Sequence, residues 1–218
     1  MSTPNFKTEQ EAFWHGQFGN DYIARNKSEQ LLAANLALFS RALAGIDRIK
    51  SCVEFGANVG MNLRALKLLF PECAQHAIEI NASAVAELKA TMPTINVLNA
   101  SLLDVDPAVL IGQVDFALIK GVLIHINPDA LPNVYQKLYD VSRRYIFICE
   151  YYNPTPVSID YRGNKDRLFK RDFAGEMLDR FPDLKLVDYG FRYRRDKSFP
   201  ADDTTWFLLE KRQGDPTP

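Results

Sequence analysis

The chain has 218 residues, 47% of them hydrophobic, which is enough for one domain with a substantial core and too little for a second full domain. Lys+Arg 26 against Asp+Glu 27 gives a net charge of -1, so no global field draws the protein to nucleic acid or a membrane surface, and any basic site must be local. The three cysteines form no Cys-x-x-Cys pair, no apolar run approaches the ~20 residues of a membrane span, and the N-terminus lacks a basic stretch followed by an apolar one; reduced thiols, no metal, no membrane and a cytoplasmic location are expected.

Residues 1–27 hold Phe6, Phe13, Trp14, Phe18 and Tyr22 among polar side chains, with Gly16 and Gly19 interrupting the helical pattern. The spacing suggests a lid whose glycines let Trp14 and Tyr22 fold over a ligand; the plainer alternative is a static aromatic cover for a sheet edge. Ser28 then caps a helix with Leu31, Leu32, Leu36, Phe39 and Leu43 on one face, ending at Gly45. Residues 1–45 are thus an N-terminal lid and helix, 46–212 the main domain, and 213–218 a polar, Pro-rich tail expected to be disordered.

An apolar run ending at Val53 leads into Glu54-Phe55-Gly56-Ala57-Asn58-Val59-Gly60, followed by helical spacing over 61–70. This predicts strand, tight turn and helix, with unpaired N–H groups at the helix start. A phosphate-gripping P-loop needs Gly-Lys-Ser/Thr, and Met61-Asn62 stands there instead. The dinucleotide fingerprint is poorly matched, because Asn58 and Met61 occupy its second and third glycine positions. Glu54-x-Gly56-x-Asn58-x-Gly60 resembles the acidic Gly-x-Gly-x-Gly loop of class I S-adenosylmethionine (SAM) methyltransferases. Asn58 is the departure, and Asn tolerates positive φ better than most residues. The resemblance implies SAM as cofactor, Glu54 near its methionine end, and Gly56, Ala57, Asn58 and Gly60 along it; Arg25 of the lid segment is then expected to meet the SAM carboxylate.

A second strand over 74–80 places Glu79 at its end, 19 positions beyond Gly60, where an acid can accept both ribose hydroxyls of a nucleoside cofactor; Ile80 follows it. A helix over 82–90 and a strand over 95–98 lead to Asn99-Ala100-Ser101-Leu102. Ser101 and Leu102 resemble that family's adenine-edge contact. A fourth strand, 116–119, runs into Lys120-Gly121, the loop that lies along the cofactor in methyltransferases. Leu123-Ile124-His125 resembles their leucine-x-His segment, and His125 is a candidate to take a proton from an acceptor, against the bland reading of a structural His in an apolar run.

After a helix with Leu131, Val134, Leu138 and Val141 inward and a fifth strand over 145–150, residues 151–171 fall on the substrate side of an open α/β sheet. Tyr151 and Tyr152 are expected to flank the reacting methyl, with Asn153 beside the acceptor. Arg162, Lys165, Arg167, Lys170 and Arg171 cluster within ten residues and suit an anionic acceptor. A helix over 173–180 and strands over 184–191 and 204–210 complete the chain, with Arg192, Tyr193, Arg194, Arg195 and Lys197 between the last two. Alternating strands and helices ending in a hairpin predict a Rossmann-like α/β fold: the seven-stranded class I methyltransferase sheet, last strand antiparallel, helices on both faces.

Phe13-Trp14 with Phe18-Gly19 and Tyr22, the stretches 120–128 and 150–156, and Tyr161-Arg162-Gly163 through Phe173 together resemble the pseudaminic acid biosynthesis-associated methylases, over about residues 8 to 211. That resemblance implies methyl transfer to a small, anionic, sugar-like acceptor. The competing readings are a SAM- or sugar-binding accessory protein without turnover, and a methyltransferase acting on protein or RNA; the near-neutral charge disfavours nucleic acid. Whether a proton-transfer group such as His125 or Tyr151 faces the methyl separates enzyme from accessory protein.

Overall fold

The structure, a computed structural model, describes residues 6–23, 27–161 and 163–212, with only the backbone for 164–166. Its centre is β1 (Ser51–Phe55), buried from Cys52 onward, as expected for a strand covered on both faces. Parallel partners flank it: β2 (Ala74–Glu79) and then β3 (Asn96–Asn99) on one side, β4 (Val114–Lys120) and then β5 (Ser142–Glu150) on the other. Of the two remaining long strands, β8 (Leu184–Phe191) takes the edge and β9 (Thr205–Lys211) inserts between it and β5, antiparallel to both. The sheet order is therefore β3-β2-β1-β4-β5-β9-β8. The order in which strands are added reverses between the parallel neighbours β1 and β4, and ligands of open α/β sheets bind outside the strand ends at such a point.

Apolar side chains cover both faces. On one face, α3 (Glu29–Ala42), α4 (Met61–Leu69) and α5 (Ala82–Thr91) pack Phe39, Leu63, Leu66 and Leu88 against Phe116, Phe147 and Trp206. On the other, α7 (Leu131–Val141) and α8 (Phe173–Arg180) bring Leu131, Val134, Leu138, Val141 and Met177 onto Val53, Ile119 and Ile146. No helix among the described residues is long and apolar enough to cross a membrane.

Three parts add detail to the expected plan, the first being the N-terminal helical lid that it included. The aromatic N-terminal segment is a helix pair, α1 (Glu9–His15) and α2 (Gln17–Ile23). A capping box starts α1: Thr8 Oγ1 accepts from Glu11 N, and Glu11 Oε2 accepts from Thr8 N. Gly19 lies inside α2 at a close packing contact, where a Cβ would lie 1.9 Å from Trp14 O. A short helix, α6 (Pro107–Ile111), precedes β4. The stretch expected as a substrate loop is mostly an antiparallel hairpin, β6 (Val157–Tyr161) with β7 (Asn164–Lys170).

Candidate active site

The turn after β1 forms as its residue types demand. Gly56 and Gly60 have φ of 73° and 79°, and Asn58 takes φ 48°, so the one non-glycine in the pattern accepts the left-handed conformation. Space adds a second requirement, since a Cβ on Gly56 would meet Val122 Cγ2 at 2.5 Å and one on Gly60 would meet Leu88 Cδ1 at 2.2 Å. Glu79, at the tip of β2, accepts from Asn58 N on Oε2 and from Asn81 N on Oε1, both at 2.7 Å. Burial raises its pKa against these backbone donors. Each carboxylate oxygen keeps a second lone pair for a ligand.

Above these strand ends lies a cavity of about 740 Å³. Its wall includes Gly56, Ala57, Asn58, Glu79 and Ile80 from the first two strand ends, and Ser101, Leu102, Lys120 and Gly121 from the next two. Trp14 and Tyr22 from the helix pair, together with His125 and Tyr151, complete the expected lining. Gly60 stands behind the wall as the N-cap of α4. Glu54 is fully buried beneath it, accepting from Asn62 Nδ2 at 2.5 Å. Burial pushes the Glu54 carboxyl up to about 8, with Asn62 and Lys120 opposing and Glu79 reinforcing.

The roof is held by specific bonds. Glu11, the capping-box carboxylate, also receives the Ser101 hydroxyl through Oε1. Asn81 Nδ2 reaches Trp14 O, His15 O and Asn20 Oδ1, while its Oδ1 caps α5 through Ala84 N. The Trp14 ring makes edge contacts with Phe18 and Tyr22 and lies 4.7 Å from the His125 ring. Tyr161 of the hairpin approaches His125 at 5.0 Å and Phe18 at 5.9 Å, so lid and hairpin meet over the site.

His125 Nδ1 is 2.6 Å from Arg167 O. A carbonyl only accepts, so the proton resides on Nδ1 and the lone pair on Nε2. Burial lowers the His125 pKa to about 4, only partly opposed by that bond, which keeps the ring neutral at neutral pH. Burial and Asp202 raise the Tyr151 pKa, and its hydroxyl stays protonated. Behind them Glu150 takes Val122 N and Leu123 N, both at 2.9 Å, and so fixes the loop after β4; burial pushes this carboxyl up to about 7.

The described members of the expected basic cluster, Arg167, Lys170 and Arg171, do not line this cavity. Arg171 Nε donates to Glu176 Oε1 at 2.6 Å, and Glu176 also accepts from Tyr135 Oη, so the guanidinium braces α8 against α7. Lys170 lies 5.1 Å over the Tyr151 ring without lining the cavity. Arg167 Nη2 pairs with Glu9, and the Arg167 carbonyl holds His125. Tyr152 is turned toward Phe207, with ring centroids 6.1 Å apart, and Asn153 Nδ2 donates to Thr155 O in an exposed turn. Neither lines the cavity, because successive residues leaving β5 point to opposite sides and only Tyr151 faces inward. Arg25, Arg162 and the Lys165 side chain lie outside the described residues.

Four contributors escaped the sequence reading: Glu11, Asn81, Asp202 and Arg192, all of which line the cavity. Arg192 stood out only as one of several cations in a turn. Asn35 Oδ1, Asn58 Oδ1, Asn62 Oδ1 and Arg192 Nη2 are buried without a hydrogen-bond partner, and their residues line the wall. Each such group costs ~1–3 kcal/mol when left unpaired, so polar atoms without partners stand within the residues of the wall.

Neither a family model nor a curated protein matches the chain in sequence. Solved structures do match in fold. The Burkholderia thailandensis 1,6-didemethyltoxoflavin-N1-methyltransferase, with its substrate and S-adenosylhomocysteine bound, is similar at TM-score 0.70 and 16% identity, over 98% of this chain and 94% of that one. The Synechocystis magnesium protoporphyrin IX methyltransferase with SAM bound gives TM-score 0.69 and 10% identity, over 96% and 100%. A SAM-dependent methyltransferase of Leishmania major gives 0.68 and 13%, over 94% and 87%. The chain therefore has the Rossmann-like fold of class I methyltransferases, with a seven-stranded sheet whose last strand runs antiparallel.

Proposed function

We propose that this chain is a SAM-dependent methyltransferase acting on a small-molecule acceptor. The observation that carries the reading is Glu79: a buried carboxylate with two lone pairs to spare, fixed by backbone donors beside the turn 56–60, at the reversal point of the sheet. The unpartnered Asn58 Oδ1 and Asn62 Oδ1 fit a ligand rich in donors, as an amino-acid and nucleoside conjugate is. The fold neighbours that bind SAM or S-adenosylhomocysteine support the same assignment.

When bound, SAM supplies an electrophilic methyl group on a sulfonium leaving group. The chain's residues then have four tasks. Glu79 would accept the ribose hydroxyls, Ser101 and Leu102 would meet the adenine edge, and Gly56, Ala57, Asn58, Lys120 and Gly121 would hold the methionine end. Trp14, Phe18 and Tyr22 exclude water from the reacting centre. His125, its tautomer fixed by Arg167 O, presents Nε2 to a proton leaving the acceptor, and Tyr151 orients that acceptor through its hydroxyl. Orientation of acceptor and methyl in line supplies the largest share, for which ~7–11 kcal/mol is attainable.

The finer reading is an anionic, sugar-like acceptor, as the resemblance to the pseudaminic acid biosynthesis-associated methylases implies. Its support is the motif pattern over residues 8–211 together with the cations at the cavity, Lys120 and Arg192. Transfer of a tritiated methyl from SAM into fractionated cell extract tests the proposal. Label in the small-molecule anionic fraction is expected. Label confined to protein or RNA overturns the acceptor class, and no label in any fraction overturns turnover.

A further inference from the structure

We propose that Lys120 and Arg192 form a carboxylate-binding subsite in the cavity wall. Lys120 ends β4 and Arg192 follows β8, strands separated in the sheet by β5 and β9, so nothing in local sequence joins them. The fold does: Arg192 N donates to Thr204 O at 2.8 Å, turning the chain back over β9, and Thr204 Oγ1 meets Cys149 Sγ of β5 at 3.4 Å. Both residues line the same cavity, one from the end of β4 and one from the turn after β8.

Neither cation is held in an ion pair with a described residue, although Glu54 and Asp202 lie near enough to favour the Lys120 charge. Arg192 Nη2 is buried with no hydrogen-bond partner, and Lys120 makes no ion pair or side-chain hydrogen bond with a described residue. The neighbouring acids also serve other groups. Asp203 pairs with Arg194, Glu54 accepts from Asn62 while burial favours its uncharged form, and Asp202 acts on both Tyr151 and Lys120. Two like charges held together in a partly dry wall repel, and burial lowers the Lys120 pKa. An arriving carboxylate relieves that repulsion and meets the planar fork of Arg192 with matching geometry.

The carboxylate has two sources, the amino-acid end of the cofactor or an acidic group on the acceptor, and only this choice rests on the cofactor reading above. Calorimetry with SAM and with decarboxylated SAM separates them, alongside an NMR titration of malonate as a free carboxylate probe. If the cofactor's carboxylate occupies the subsite, wild type prefers SAM over the decarboxylated form by about tenfold or more. That preference collapses in Arg192→Gln and Lys120→Met and is partly restored in Arg192→Lys. If the acceptor's group occupies it, the two cofactor forms bind alike, while malonate binds the SAM-loaded protein and loses about tenfold in affinity in the same variants. Unchanged thermal unfolding of the variants confirms that they fold, and Arg192→Lys retains the charge should Arg192→Gln fail to fold. If wild type binds neither SAM form, the cofactor reading fails while the malonate titration still decides the subsite. No SAM preference together with malonate binding that is absent, or unaffected by all three substitutions, overturns the proposal.

Discussion

Asn81 Nδ2 donates to Asn20 Oδ1 at 2.9 Å, two residues beyond the Glu79 carboxylate in the floor of the cavity. Roof and floor are therefore fixed from one loop, and the lid is a docked helix pair. Asn81→Ala removes these bonds and the α5 N-cap, whose loss alone costs ~1 kcal/mol. Amide exchange over residues 8–23 is expected to rise in the variant and to be slowed again by S-adenosylhomocysteine. Exchange equal to wild type would show that the aromatic contacts alone hold the lid.

His125 is expected to act as a neutral base whose acid limb lies near 4 rather than near 6.5, because burial disfavours its cation. A base with so low a pKa works at the lower end of general-base efficiency, so His125→Ala should lower kcat by about 10²-fold with cofactor affinity unchanged. A kcat/KM profile falling through pH 6.5 in wild type but not in the variant would contradict the buried-ring account.

Two buried carboxyls set the pH dependence of stability. Folded-state pKa values of about 8 for Glu54 and about 7 for Glu150 stand above the ordinary 4.5, so their contribution is fully present below 4.5 and is lost as pH rises through the folded values. His125, lowered to about 4, acts in the opposite sense and only below 6.5. The lowered Lys120 pKa also opposes the carboxyls, in both wild type and variant. Between pH 6.5 and 8, wild type should lose stability relative to Glu54→Gln by up to about 1.4 kcal/mol per pH unit. Urea unfolding at the two pH values checks this, and parallel curves would mean that Glu54 ionises normally.

Arg171→Ala is expected to cost at most about 1 kcal/mol, since its partner Glu176 is partly solvated, and to leave cofactor and acceptor binding untouched. A raised acceptor KM in this variant would return the hairpin cations to the substrate site.

What was readable from the chain was local. Two glycines and an asparagine at fixed spacing announce the turn 54–60, and the 3.6-residue rows of α3 and α7 announce their buried faces. Glu79 was legible because a second strand must follow the turn at a set distance. What was missed depends on distant partners. Glu11 meets Ser101 across 90 positions, and Arg192 acquires its place only when β9 inserts between β5 and β8. The cluster around Arg171 misled because charge density along the chain says nothing of direction: Glu176, five residues on, takes the cation that the acceptor was expected to hold.

Calorimetric titration of S-adenosylhomocysteine into wild type and Glu79→Ala tests the central claim most directly. Wild type is expected to bind one equivalent, and the variant to bind at least about tenfold more weakly, because charge-assisted bonds to two ribose hydroxyls contribute ~1.5–3 kcal/mol each. No heat of binding in wild type, or equal affinity in the two proteins, would contradict the assignment of this cavity to SAM.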